Sequence, residues 1–148
     1  MNARSRALAI SLAASLAAAT ALAATGASAE ASNLSTHYAD WAGGKENAEA
    51  LVAGLRTGTP VTIVTRSSGR AVSLAGFTPA ASMSYRQVDS ALAAAQRSLA
   101  HVGITHPTAE QIQAALIGGE VVASNGRPVP VKGTVVARGA TTSRVASR

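Results

Sequence analysis

Residues 84–119 read SYRQVDSALAAAQRSLAHVGITHPTAEQIQAALIGG, and their pattern decides the fold class. Ser84-Tyr85-Arg86-Gln87 is a capping box: the serine oxygen accepts from the amide of residue 87 while Gln87 reaches back, and Met83 and Val88 stand where a hydrophobic staple would clamp the turn. Val88, Leu92, Ala95, Leu99 and Val102 then recur at helical spacing until Gly103, a suitable C-terminal glycine. A second box, Thr108 to Gln111, follows Pro107; Ile112, Ala115 and Leu116 face one way before Gly118-Gly119 ends that helix. Two helices therefore follow one another directly, joined by a short stiff linker.

Working outward, residues 44–56 carry Ala48, Leu51, Val52 and Leu55 at i, i+3, i+4, i+7, with Glu46 and Glu49 in the first turns, Arg56 in the last and Gly58 beyond. This is an amphipathic helix with marked ends. The stretches PVTIVT (60–65) and RAVSLAGF (70–77) flank Ser67-Ser68-Gly69 and read as a hairpin. Beyond the helical pair, residues 120–123 and 127–137 flank Asn125-Gly126, a strong short-range hairpin signal. The order is α-ββ-α-α-ββ. No helix lies between two strands at crossover spacing, so the expected fold is α+β: a small antiparallel sheet of two β-hairpins with about three helices.

The N-terminus has a different character. Thirteen of the first 29 residues are alanine, Arg4 and Arg6 form a short positive region, the apolar run from Ala7 to Ala24 is broken only by Ser11, Ser15 and Thr20, and Ala27-Ser28-Ala29 supplies small residues for cleavage. This is the pattern of a Sec-type secretory signal peptide cut after Ala29, and the alanine-rich run argues against a retained membrane anchor. The expected organisation is a leader at 1–29, a flexible segment at 30–43, one α+β domain at 44–138 and a polar, frayed tail at 139–148, with the chain periplasmic or secreted. Without cysteine, that domain relies on packing alone in an oxidising compartment.

From Glu30 onward, Leu, Ile, Val and Phe supply 25 of 119 residues, so the core is thin. Positive charge is unevenly spread. Residues 30–126 hold six basic and seven acidic groups, whereas Arg127, Lys132, Arg138, Arg144 and Arg148 follow with no acid after Glu120. Such a segment can be drawn to an anionic envelope surface or another envelope component, or serve only as a solvated face.

Sites of chemistry are sparse. His37, His101, His106 and Asp40 are the available metal ligands, but His101 and His106 lie five apart across Gly103, not at the i, i+4 spacing of one helix face, so no metal or other cofactor is expected. No G-x-S-x-G, S-x-x-K, P-loop or G-x-G-x-x-G occurs, and no catalytic residue is selected. Glu46 and Glu49 fit a helix N-terminus better than a pair of catalytic acids. The two helices at 88–116 could be drawn as a helix-turn-helix, yet the second carries Glu110 and no Lys or Arg, so nucleic acid is not an expected partner. Tyr38 and Trp41 could stack on a sugar, although a chain with four aromatics needs them in its core.

The segment from Phe77 to Val121, above all GITHPTAEQIQAALIGG (103–119), together with HYADWAGGKENAEALVAGLRTGTPVTI (37–63), resembles a family of small signal-peptide-bearing proteins of Gram-negative bacteria with no assigned activity. Departures from the pattern are Gly44-Lys45, where serine and proline often open the first helix, and GATTSRVASR (139–148) in place of a Gly/Trp-rich end. The resemblance implies export and assigns no functional residue. The expected function is that of a small exported envelope protein, a non-enzymatic binding or structural module; a small hydrolase-like enzyme is the alternative. Convergent polar groups in a concave pocket would favour the enzyme, and an exposed strand edge or apolar patch the binding module.

Overall fold

The computed structural model describes residues 17–66 and 71–146. Its elements are α1 (Ala17–Tyr38), α2 (Lys45–Thr57), β1 (Val61–Arg66), β2 (Ala71–Pro79), α3 (Tyr85–His101), α4 (Ala109–Ile117), β3 (Gly119–Val122), β4 (Pro128–Val131) and β5 (Ala137–Ala146). The fold is α+β, with every strand pairing antiparallel.

The elements form where local chemistry favours them. Both capping boxes are present, with Ser84 and Thr108 side chains accepting from the amides of Gln87 and Gln111, and each glutamine side chain returning a bond to the cap amide. Helix α2 ends on Gly58 in the left-handed region, at φ 70°. In β1 burial alternates, with Val61, Ile63 and Thr65 inward and Thr62, Val64 and Arg66 outward. Around Asn125-Gly126, the Gly126 amide donates to Ala123 O and the Ala123 amide to Arg127 O, both at 2.9 Å, with Gly126 at φ 78°. This is a three-residue loop with glycine in the left-handed position, rather than the two-residue turn that Asn-Gly favours. The turn expected at Ser67-Ser68-Gly69 lies outside the described residues.

The two hairpins do not share a sheet. β1 and β2 join β5 in a three-stranded sheet ordered β1-β2-β5, while β3 and β4 form a separate two-stranded ribbon. Helices α2 and α4 pack on one face of the larger sheet, and α3 and α1 pack against the helices. The core lies between these layers and is built from Leu51, Leu55, Ile63, Leu92, Leu99, Ile112 and Leu116, all under 2% exposed.

Three further expectations are corrected. Segment 30–43 is not a flexible lead-in: α1 runs through Tyr38, and Tyr38, Trp41 and Ala42 are buried in the core. Ala31, Leu34 and Tyr38 form a short apolar stripe, interrupted by the buried Ser35, that rests on the domain. Within the segment 139–148, the described residues 139–146 are not a frayed tail, because β5 pairs with β2 from Ala137 to Ala146. The central strand thereby satisfies its second edge. Finally, residues 127–137 do not form one strand. The chain leaves the ribbon after Val131 and crosses the end of α4, where the Thr134 and Val135 amides both donate to Leu116 O at 2.7 Å. Gly133 permits this crossing: a Cβ there would collide with the backbone of Ile117 and Gly118.

Candidate binding surface

Among the described residues, the histidines and carboxylates do not converge. His101 and His106 are exposed, and His37 stacks edge-on against Tyr38 with ring centroids 4.7 Å apart. Among the described residues, no group of three or more His, Asp or Glu side chains is placed to hold a metal. Glu46 and Glu49 are exposed on α2, where Glu49 lies 3.7 Å from Lys45. Tyr38 and Trp41 belong to the core: the Tyr38 hydroxyl donates to Asp89 Oδ1 at 2.7 Å. Burial pushes the Tyr38 phenol well above its ordinary range; the hydrogen bond and charge of Asp89 reinforce the shift, and Arg97 opposes it. In the helical pair, the α4 N-terminus faces inward, with the Ala109 amide donating to Thr65 Oγ1 at 2.8 Å.

What distinguishes the surface is the unequal treatment of the two sheet edges. On the β1 edge, Asn47 acts as a surrogate strand. Its Nδ2 donates to Val64 O at 2.8 Å and its Oδ1 accepts from the Val64 amide at 3.0 Å, while Nδ2 also reaches Ala42 O. Asn47 is 8% exposed, so this plug is built into the packed body. The sequence signal for it was a polar residue one turn before Leu51, in the apolar stripe of α2.

Among the described residues, no side chain plugs the β5 edge in this way. Because Val64 turns its backbone groups outward to Asn47, its pair with Leu74 is the non-hydrogen-bonded kind. Leu74 then directs its own groups to Ser143, and alternation turns those of Ala140 and Thr142 away from β2 onto the free edge. Ala140 and Thr142 pair with Phe77 and Ala75, both buried, so their side chains lie on the helix-facing side. There α4 covers β2 but stops short of β5, leaving an open groove of about 440 Å³. Its walls are Gln113 and Ile117 of α4, Glu120 of β3, and Ala140 and Thr142 of β5, with Glu110 at the far end. Neither Ala140 nor Thr142 was singled out from the sequence, because small polar residues exposed on both faces leave no alternation to read.

Two lesser features complete the surface. On the sheet face opposite the helices, the paired Val64 and Leu74 are 38% and 37% exposed. Between α1 and α2 lies a groove of about 450 Å³ in which Arg56 donates from Nη1 to Met83 O at 3.1 Å, its guanidinium 4.8 Å from the Tyr85 ring centroid. Among the described residues, no helix is long and apolar enough to cross a membrane. No protein-family model, curated protein or solved structure matches the chain.

Proposed function

We propose that the chain is a small exported envelope protein that works as a non-enzymatic binding module, engaging an extended segment of another envelope component along the free edge of β5. One observation carries this reading: Asn47 blocks the outward backbone groups at the middle of the β1 edge, whereas those of Ala140 and Thr142 on β5 are unpaired among the described residues. Natural sheets blunt edges that are not used, and strand addition to an open edge is a recurrent mode of peptide recognition. Export rests on the leader pattern at 1–29 and on the resemblance to exported proteins.

A photo-crosslinking side chain at Thr142 or at Thr62, on the opposite edge, tests the reading in living cells. The Thr142 position is expected to give discrete adducts in the envelope fraction. Replacing Ala140 with proline, which removes an outward N–H the fold does not use, is expected to abolish them at unchanged thermal midpoint. Equal adducts from both positions, or none from Thr142, would reject the edge as the binding surface. Protein retained in the cytoplasm with residues 1–29 intact would reject export.

A further inference from the structure

We propose that the groove between α4 and β5 reads one side chain of the segment added to β5, and that this side chain is a lysine or arginine. The inference rests on the strand-addition reading above and specifies the occupant. A strand paired with the free edge forms hydrogen-bonded pairs with Ala140 and Thr142, and residues directly opposite share a face. The partner residues at those positions therefore project to the helix-facing side, where the groove of about 440 Å³ lies.

Three features of the groove select a cation. Glu120 stands exposed at its rim, and the described lining residues include no basic side chain. Gln113 is 4% exposed and is held by its Nε2, which donates to Gly76 O at 2.9 Å and Thr141 O at 3.4 Å. Its Oε1 receives no hydrogen bond among the described residues, leaving a fixed acceptor in the groove wall. Third, the groove runs along the C-terminal end of α4, whose last turn holds no basic residue to complement the negative end of the helix dipole. Ile117 and Ala114 line the same space and offer apolar contact to the methylene stem of a long cationic side chain. Arg138, two residues before Ala140 on β5, spends its guanidinium on Ala80 O and does not line the groove.

The test uses the purified protein and fluorescein-labelled octapeptides, Thr-Val-Thr-Xaa-Thr-Val-Thr-Ser, with Xaa lysine, arginine, norleucine or glutamate, read by fluorescence anisotropy. Lysine and arginine peptides are expected to bind at least about fivefold more tightly than norleucine, and glutamate most weakly, in line with the contribution of one partly exposed charge-assisted contact. Glu110 already engages a group within the protein, so Glu120→Gln is the decisive variant. It should remove the preference for lysine and leave norleucine binding unchanged. Equal affinity for all four peptides, or a preference that survives Glu120→Gln, overturns the groove assignment. Strand addition then still stands if Ala140→Pro abolishes binding. Absence of binding by every peptide, or binding indifferent to Ala140→Pro, overturns both.

Discussion

Single side chains close backbone valences at two decisive points. Ser84 and Thr108 satisfy amides at the starts of α3 and α4, with oxygen distances of 3.3 and 3.4 Å to the Gln87 and Gln111 nitrogens. Replacing either by alanine is expected to cost about 1 kcal/mol in equilibrium denaturation, the usual value for a lost N-cap oxygen. Tyr38 makes a pH-dependent contribution of calculable sign. Its folded-state pKa is raised, so its stabilisation is fully present below the ordinary tyrosine value of about 10. Above that value the unfolded chain releases the phenolic proton while the folded protein keeps it, and stability falls as pH rises. Denaturation midpoints measured above pH 10 should therefore decline less steeply in Tyr38→Phe than in the parent, although the variant starts lower for want of the Asp89 hydrogen bond.

At the level of elements, β5 changes what the C-terminal segment is for. Chain from Ala137 to Ala146 pairs along the whole of β2, and Arg138 ties the entry of that strand to Ala80 O with bonds of 3.2 and 2.7 Å from Nε and Nη2. Truncation before Ala137 should then lower stability by at least about 2 kcal/mol, since several ladder hydrogen bonds worth about 0.5–1.5 kcal/mol each disappear and β2 becomes an edge. Urea denaturation of the truncated chain checks this, and an unchanged midpoint would mean that β5 is dispensable. Helices α2, α3 and α4 were legible in the sequence because periodicity, caps and terminal glycines agree there. Neither end of the domain was: the 31–38 stripe is broken by Ser35, and strand β5 buries too little of itself to show a period of two.

For the whole molecule, charge acts at longer range than any of these contacts. The excess from Arg127 onward includes Arg127 and Lys132, both exposed on or beside the β3–β4 ribbon. They are the positions at which to test attraction to anionic envelope surfaces, because Arg138 is engaged with Ala80 and its loss would also disturb the fold. Arg127→Gln with Lys132→Gln is expected to weaken binding to anionic vesicles severalfold at low salt, with little difference at 1 M, where the Debye length has fallen to about 3 Å. Vesicle co-sedimentation across a salt series measures it. Affinity that ignores both salt and substitution would leave the charges as a solubility feature.

Local chemistry alone settled the α+β class, the two capping boxes, the ends of α2, α3 and α4 and the existence of two hairpins, because each depends on residues within a turn or two of one another. Tertiary structure decided the rest. Which hairpin β5 would join, that α1 would anchor through Tyr38, and that Asn47 would close one sheet edge while the other stayed open all depend on partners 17 to 75 residues away, as in Asn47 with Val64 and Ala71 with Ala146. Pairings of that range reflect how the whole core closes. The backbone groups they satisfy are the same on every residue, so side-chain pattern carries little record of them.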